Sequence, residues 1–481
     1  MSVRYQRVAT LKTADAFAQH LAAGGIDLPF DRVLEDPVTS PLASTFTIGD
    51  RTLLNRFAIL PMEGWDGTTS GEPSDLTERR WKRFGESGAS FIWGGEAVAV
   101  RHDGRANPNQ LMLSPANAPK IGALVETLRR AHADRFGHAS ADAVYLGLQL
   151  THSGRFAKYR EDFSPDPQVA YAHPVLDRRF PKGVRMLSDD DLDRLCDDFV
   201  AAARIVRDLG FHFVDLKHCH GYLGHELLSA VDRPGKYGGS IDNRLLFLRT
   251  IVDGVRATAP GLEIGVRLSV FDTTPYRPGP ERTGVPEVPT DASYPYAFGR
   301  LDDHDMDATL ADSREMLTRL RAMGIHLVCA TAGSPYYCPH VQRPALFPPS
   351  DGYEPPEDPL HGVARQIDAT GRLKQWFPDM TIVGSGYSYL QEWLPNVGQR
   401  AVREGRVDFV GLGRMVLSYP EMPADVLAGR PLRRAAICRT FSDCTTGPRN
   451  GLVSGCFPLD KFYTNHPHHE RLKAAKLPAE A

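Results

Sequence analysis

Short apolar runs alternate with amphipathic stretches along the chain from about residue 50 to residue 430. Runs this short, separated by longer helical patterns, are typical of strands alternating with helices. The predicted strands cover residues 57–61, 90–98, 145–150, 213–218, 263–270, 327–333, 381–386 and 408–414. Because most of these runs are apolar on both faces, we expect a parallel sheet that is covered on both sides.

The amphipathic stretches predict the helices that cover the sheet. Residues 188–210 are the clearest example: Ser188 and Asp191 have the spacing of a capping box, and the stretch ends at Gly210. Eight strand–helix units predict an α/β fold, specifically a (β/α)8 TIM barrel. The alternative, a doubly wound sheet, is disfavoured because no G-x-G-x-x-G motif follows the first strand.

The chain is predicted to consist of three parts. An N-terminal extension covers residues 1–41, the barrel residues 42–430, and a C-terminal tail residues 431–481. Long irregular segments follow strands three, five and six, at residues 156–187, 273–305 and 334–358. Segments that follow strands lie at the catalytic end of a barrel, and these are rich in tyrosine, so we expect them to wall a substrate pocket.

Composition excludes several classes of function. The chain has 481 residues, 42% of them hydrophobic, and a formal net charge of −3, which gives no reason to expect nucleic acid or an anionic membrane as partner. No apolar run approaches the roughly 20 residues of a membrane span, and the N-terminus lacks a secretory apolar core. Seven cysteines, an odd number, fit a reducing compartment. We therefore expect a cytoplasmic protein that acts on a small molecule.

The end of strand four carries the densest cluster of chemically competent side chains. Lys217, His220 and Tyr222 follow one another within six residues, and burying such groups without use is costly. The segments 215–223, 227–229, 237–240 and 243–244 resemble the old yellow enzyme family of FMN-dependent oxidoreductases. One position departs from that pattern: the family's first histidine is Lys217 here. His218 is one position out of register and should face the other side of the strand.

The resemblance implies an FMN site spread over most of the barrel. Pro61 and Met62 would lie against the flavin, with Glu63 in a position usually held by Thr or Cys. Ala97 would lie near the ring, Gln149 would bind its pyrimidine side, and Arg267 would place positive charge near N1. The phosphate would be bound after strands seven and eight by residues Gly384, Ser385, Gly386, Gly413 and Arg414.

The resemblance also implies a reaction. Hydride from NADH or NADPH would reach the β-carbon of an activated alkene through FMN. His220 and Lys217 would stabilise negative charge on the substrate oxygen, and Tyr222 would donate a proton to the α-carbon. Two alternatives stay open: a flavin-dependent dehydrogenase or demethylase of an amine or cyclic substrate, and a Schiff-base lyase in which Lys217 is the nucleophile.

The tail contains Cys438, Cys444 and Cys456. The resemblance is closest to the 2,4-dienoyl-CoA reductase and trimethylamine dehydrogenase branch, whose members carry C-x2-C-x3-C-x11-C after the barrel. Only the last spacing is present here, so we expect neither an iron–sulfur cluster nor another metal. We also expect no second nucleotide-binding domain. The natural substrate, the choice between NADH and NADPH, and the oligomeric state, a homo-oligomer included, stay open.

Overall fold

Eight parallel strands close into a barrel in the computed structural model, which describes residues 5–289 and 292–476. The strands, in barrel order, are Phe57–Ile59, Phe91–Ile92 with Ala97–Ala99, Tyr145–Thr151, Phe213–His218, Glu263–Ser269, Leu327–Thr331, Thr381–Gly384 and Phe409–Leu412. Each strand pairs in parallel with the next, and the eighth closes on the first, where Leu412 pairs with Ile59. The predicted (β/α)8 barrel is confirmed.

One helix follows each strand and packs on the outside of the barrel. In chain order these helices are Asp75–Gly85, Ala118–Phe136, Asp189–Asp208, Leu246–Thr258, Ala311–Ala322, Pro359–Trp376, Leu394–Arg403 and Met422–Leu427. The helix Asp189–Asp208 begins with the predicted capping box: the Ser188 side chain accepts from the Asp191 N–H, and the Asp191 carboxylate accepts from the Ser188 N–H. This reciprocal pair satisfies two N–H groups that the first helical turn leaves free.

Shorter elements connect these units. Further α-helices are Ala14–Ala23, His138–Asp142, Leu223–Leu228, Ile241–Arg244, Met306–Thr309, Pro339–Gln342, Met415–Ser418, Asp443–Arg449, Lys461–Thr464 and His468–Lys476. The 3-10 helices are Val8–Thr10, Pro41–Ala43, His102–Gly104, Gly154–Phe156, Leu176–Arg179, Pro280–Arg282 and Tyr387–Trp393. Pairs of short strands outside the barrel are Phe46–Ile48 with Arg51–Leu53, Gln168–Val169 with Arg185–Met186, and Tyr276–Pro278 with Gly284–Pro286. Within the described residues, no helix is both long and apolar enough to cross a membrane.

Aromatic side chains fill one end of the barrel interior. Phe91 contacts Trp93, Phe213 and Phe409, with ring centroids 4.9 to 5.7 Å apart. Gly147 makes room for this packing, because a Cβ atom there would lie only 2.2 Å from the Phe213 ring. With this end filled, the open space of the barrel lies at the carboxyl ends of the strands.

The extension and the tail pack on different parts of the barrel. In the extension, Phe17 stacks on Trp393 at 4.8 Å, and the Trp393 indole N–H donates to the Leu11 carbonyl at 2.9 Å. In the tail, the Ser454 hydroxyl accepts from the Trp65 N–H at 2.8 Å, in the loop that follows strand one. The tail therefore lies over the carboxyl ends of the strands.

Candidate active site

A cavity of about 540 Å³ opens at the carboxyl ends of the strands. Residues from the carboxyl-terminal parts of the strands and from the loops that follow them line it, with all eight strand–loop units contributing, together with part of the tail. Twelve of the fourteen predicted site residues are on its wall: Pro61, Met62, Glu63, Gln149, Lys217, His220, Tyr222, Arg267, Ser385, Gly386, Gly413 and Arg414. Side chains far apart in the sequence thus meet around one space large enough for a cofactor and a substrate.

The other two predicted residues, Ala97 and Gly384, do not line the cavity. Ala97 lies in the second half of strand two, where its carbonyl accepts from the Gln110 amide at 2.9 Å. Gly384 faces Tyr387, while the next residue, Ser385, faces the cavity, because neighbouring residues of a strand point to opposite sides. The geometry gives these two residues no contact with the cavity.

Tyr222 and Glu63 are paired at the centre of the cavity wall. The Tyr222 hydroxyl donates to Glu63 Oε2 at 2.6 Å and lies 2.8 Å from the Tyr336 hydroxyl. The Lys217 ammonium lies 3.7 Å from the centroid of the Tyr222 ring. Contacts of this kind between a cation and an aromatic face are favourable, most of all where water is excluded.

Burial dominates the electrostatics of this group. It raises the pKa of Glu63, and the Lys217 charge and the Tyr222 hydrogen bond oppose that rise. Burial also lowers the pKa of Lys217, with Glu63 opposing the change. The pKa of Tyr222 is raised well above its usual value by burial and then by the Glu63 charge, so the phenol keeps its proton.

His220 lies on a strained turn after strand four. Its φ of 68° is in the left-handed region, which is uncommon for residues other than glycine, and Gly221 follows at 77°. Ser269 accepts from the His220 N–H at 3.1 Å, and the Ser334 hydroxyl donates to the His220 carbonyl at 2.8 Å. Strands five and six therefore hold the turn in place. His218, by contrast, is buried away from the cavity, as its register predicts.

The imidazole of His220 is neutral at physiological pH. Burial, followed by the Arg267 and Lys217 charges, lowers its pKa well below the usual value. The Gln342 amide nitrogen lies 3.1 Å from His220 Nε2. A neutral imidazole in this position can donate one hydrogen bond without adding a charge.

Asp215 organises the floor of the cavity, a role that the sequence analysis did not assign to it. Its carboxylate accepts from Gln149 at 2.5 Å, from the Trp93 indole at 2.8 Å and from the Arg267 N–H at 2.7 Å. Burial raises the Asp215 pKa to about 6. An acidic residue inside an apolar strand is the sequence signal for such a role.

A second buried network holds the loop after strand one. Arg80 binds both Asp66, at 2.7 Å, and Glu96, at 2.6 Å. Glu96 also accepts from the Gly64 N–H at 2.7 Å. The network fixes the backbone that carries Met62 and Glu63 into the cavity.

Six buried polar atoms of the cavity residues have no hydrogen-bond partner: Arg267 Nε, Thr331 Oγ1, Gln342 Oε1, Arg343 Nη2, Ser385 Oγ and Arg414 Nη1. Gly413 is open on its side-chain side, since a Cβ atom there would have no other atom within 4 Å. Buried donors are rarely left unpaired in folded proteins, so this pattern indicates a site for a polar, anionic group.

The irregular segments contribute unequally to the cavity. The segments after strands three and six line it through residues such as Phe156 and Tyr336, whose rings stack at 4.0 Å. The segment 273–305 lines no part of it within its described residues, although we expected all three segments to do so. Part of that segment pairs as a short hairpin, and its Tyr294 and Tyr296 line a separate space of about 20 Å³ instead.

The tail covers the cavity and brings its three cysteines to one small region. Cys438, Cys444 and Cys456 surround a space of about 20 Å³ beside Arg414. Among the residues that the structure describes, no group of three or more His, Cys, Asp or Glu is arranged to hold a metal ion.

Comparison with known proteins identifies relatives. The NADH:flavin oxidoreductase / NADH oxidase family matches residues 41–279. An NADPH dehydrogenase of Bacillus subtilis (strain 168) is 29% identical over 241 residues, which cover 48% of this chain and 64% of that protein. The 12-oxophytodienoate reductase 1 of Oryza sativa subsp. japonica is 25% identical over 297 residues, covering 60% and 63%. The matches therefore span less than two thirds of either relative.

A solved structure supports the fold. Morphinone reductase in complex with tetrahydroNAD superimposes with a TM-score of 0.54 and 19% sequence identity, covering 82% of this chain and 92% of that one.

Proposed function

Since this chain belongs to the NADH:flavin oxidoreductase / NADH oxidase family, we propose that it is an FMN-dependent ene reductase. It oxidises NADH or NADPH and reduces an activated carbon–carbon double bond, adding hydride at the β-carbon and a proton at the α-carbon. The observation that carries the proposal is the Tyr222 hydroxyl, a protonated phenol on the wall of the same cavity as Lys217 and His220. This arrangement supplies the proton donor and oxyanion stabilisers that such a reduction requires.

The residues of the cavity fit FMN. Gln149 and Arg267 offer hydrogen bonds and positive charge on one side, and Arg267 Nη1 is aligned by the Pro61 carbonyl at 2.9 Å. The unpartnered groups of Ser385 and Arg414, beside the open face of Gly413, fit a phosphate. When bound there, FMN supplies a two-electron carrier between nicotinamide and substrate.

The side chains around Tyr222 have distinct tasks. His220, neutral, donates a hydrogen bond to the substrate's carbonyl or nitro oxygen, and Lys217 stabilises the charge that forms there. Tyr222 gives its proton to the α-carbon. Glu63 holds the phenol at 2.6 Å and orients it until that transfer.

The two alternatives receive less support from the site. An amine dehydrogenase must bind an ammonium ion, but cationic side chains outnumber carboxylates on the cavity wall. Like charges in a buried site repel a cationic substrate. A Schiff-base lyase would use the Lys217 amine, but it leaves the unpartnered groups of Ser385 and Arg414 on the same cavity wall without a role.

Absorbance of the purified protein tests the proposal. We expect a flavin spectrum that NADPH or NADH bleaches without oxygen, and that a cyclic enone such as 2-cyclohexenone then restores. FMN released by denaturation and identified by chromatography establishes the cofactor. A protein that binds no FMN when supplied with it contradicts the proposal. So does a bound flavin that neither nucleotide reduces.

A further inference from the structure

The cavity wall has an excess of positive charge. Arg80 is set aside, because Asp66 and Glu96 pair with it. The remaining charged side chains on the wall are six cations, Lys158, Lys217, Arg267, Arg343, Arg414 and Arg449, and two carboxylates, Glu63 and Asp351. With Asp215, which lies behind Arg267, the carboxylates number three. A phosphate monoester such as that of FMN brings about two negative charges, so part of the excess stays uncompensated.

Arg343 is the cation with the poorest compensation. One of its terminal nitrogens donates to the Thr445 hydroxyl of the tail, while the other, Nη2, is buried without a partner. Burial, and then the like charges of Arg449 and Arg414, lower the Arg343 pKa to about 9. A buried guanidinium among other guanidiniums is destabilising unless an anion joins it. Such an arrangement is expected of a residue that binds an anionic ligand.

Arg449 lies near the proposed proton donor, and Arg343 lies close to Arg449. Arg343 directly follows Gln342, whose amide nitrogen is 3.1 Å from His220 Nε2. The Arg449 guanidinium lies 5.9 Å from the centroid of the Tyr336 ring, and the Tyr336 hydroxyl is 2.8 Å from that of Tyr222. Arg449 is therefore close to the reacting group, and Arg343, which donates to Thr445, lies beside it under the tail.

Two hydrogen-bond acceptors hold the Arg449 guanidinium in position. It donates to Asp351 at 2.7 Å and to the Pro335 carbonyl at 3.0 Å. Asp351 is the more exposed member of this pair, with 56% of its side chain accessible against 19% for Arg449. Lys158, half-buried at the same end, adds another cation, and burial together with the Arg449 charge lowers its pKa.

We propose that the substrate carries an oxyanion group, a carboxylate or a phosphate, which Arg343 and Arg449 bind at the tail-covered end of the cavity. Guanidinium groups suit both anions, because their planar N–H forks match the oxygen geometry. The inference rests on the proposed function and adds the class of substrate to it. It assigns a binding role to the loop after strand six and to the tail.

Matched probes test this inference in the FMN-loaded protein. The probes are 5-oxocyclohex-3-ene-1-carboxylate, its methyl ester, and the same cyclohexenone with a phosphate monoester of a hydroxymethyl group in place of the carboxylate, so that the charged group is not conjugated with the alkene. We expect kcat/KM for at least one anion to exceed that for the neutral ester by about tenfold or more, the effect of a hydrogen bond to a charged group. The anion with the higher kcat/KM shows whether the site prefers a carboxylate or a phosphate. Equal values for all three probes overturn the inference.

Variants assign the preference to the two arginines. We expect Arg449→Gln and Arg343→Gln to lower the ratio of kcat/KM for the anion to kcat/KM for the ester to near one, and Arg449→Lys to restore part of that ratio. Arg319→Gln is the matched control, because Arg319 pairs with Glu315 on the outside of the barrel and does not line the cavity. A preference that survives both substitutions overturns the inference. Weaker FMN binding by Arg343→Gln with an unchanged preference overturns the role of Arg343.

Calorimetry separates this inference from the proposed function. The carboxylate and its ester are titrated into the protein as purified, without NADH or NADPH. Tighter binding of the carboxylate that Arg449→Gln abolishes supports the oxyanion site even if no alkene is reduced. Should Arg343→Gln fail to fold, Arg449→Gln carries the test, since its side chain is partly exposed. Indistinguishable binding of acid and ester contradicts the site even in a protein that reduces enones.

Discussion

The Tyr222 hydroxyl donates a hydrogen bond of 2.6 Å to Glu63 Oε2, and both side chains line the same cavity. The pair joins residues 159 positions apart in the sequence, from the loops after strands one and four. It places a carboxylate next to the proposed proton donor and beside Lys217. The charge on Glu63 therefore influences both the proton of Tyr222 and any electron-rich cofactor in the cavity.

Replacing Glu63 by Gln should raise the reduction potential of the bound flavin. A carboxylate disfavours a nearby reduced, anionic ring, and removing it relieves that repulsion. We expect the two-electron midpoint potential to rise by about 30 mV or more, equivalent to about 1.4 kcal/mol. Spectroelectrochemical titration measures this. Glu315→Gln, on an exposed helix outside the cavity, is the control and should leave the potential unchanged. An unchanged or lower potential in Glu63→Gln contradicts this role of the carboxylate.

Replacing Asp215 by Asn should reduce the loss in the free energy of unfolding as the pH rises from about 4 to 7. The folded-state pKa of Asp215, about 6, lies above its ordinary value of 3.8, so its contribution to stability is present below pH 3.8 and is lost as the pH rises through 6. The wild type should lose on the order of 3 kcal/mol across this window relative to the variant. Urea unfolding at pH values from 4 to about 7 measures the difference.

The comparison for Asp215 uses the change with pH rather than the absolute stability, because Asn also alters the hydrogen bonds to Gln149 and Trp93. Asp142→Asn, at an exposed carboxylate, is the control and should follow the wild type. If the free energy of unfolding changes with pH in the same way for wild type and Asp215→Asn, the Asp215 carboxyl is not the group that titrates.

Replacing Arg414 by Gln should weaken FMN binding. Its Nη1 is buried without a partner, while Nη2 donates to the Pro344 carbonyl at 2.8 Å, which fixes the group. Loss of a charged hydrogen bond to phosphate should raise the FMN Kd by about ten- to a hundredfold. Quenching of free FMN fluorescence by the apoprotein measures the Kd, with Arg403→Gln, in a surface ion pair with Asp31, as control. Equal Kd values for Arg414→Gln and the wild type place the phosphate elsewhere.

The barrel was predictable because each strand is a short apolar run, and polar side chains follow the run at the carboxyl end of the strand. All eight predicted strands are present, with ends that differ by a few residues. The exception is strand two, predicted as one run over 90–98, which breaks between Ile92 and Ala97. Gly94 and Gly95 lie in this break, and Glu96 there turns to Arg80. The apolar pattern does not record that bend, and Ala97 consequently lies off the cavity wall.

Besides Asp215, which lies within strand four, the site residues to which the sequence analysis gave no individual role lie in segments without periodicity. Tyr336 and Arg343 belong to the loop after strand six, and Arg449 to the tail. Their positions depend on long-range contacts, such as the hydrogen bond between Arg343 and Thr445, which no local pattern encodes. The position of the tail also depends on a long-range contact, the hydrogen bond from the Trp65 N–H to the Ser454 hydroxyl, which places the tail over the barrel.

The rates of the two half-reactions in Tyr222→Phe show whether Tyr222 is the proton donor. We predict that reoxidation of the reduced flavin by 2-cyclohexenone slows by about 10²- to 10⁴-fold, the usual contribution of a positioned proton donor. Bleaching by NADPH, which needs no proton from Tyr222, should keep nearly its wild-type rate in stopped-flow absorbance. Equal slowing of both half-reactions, or of neither, contradicts the account.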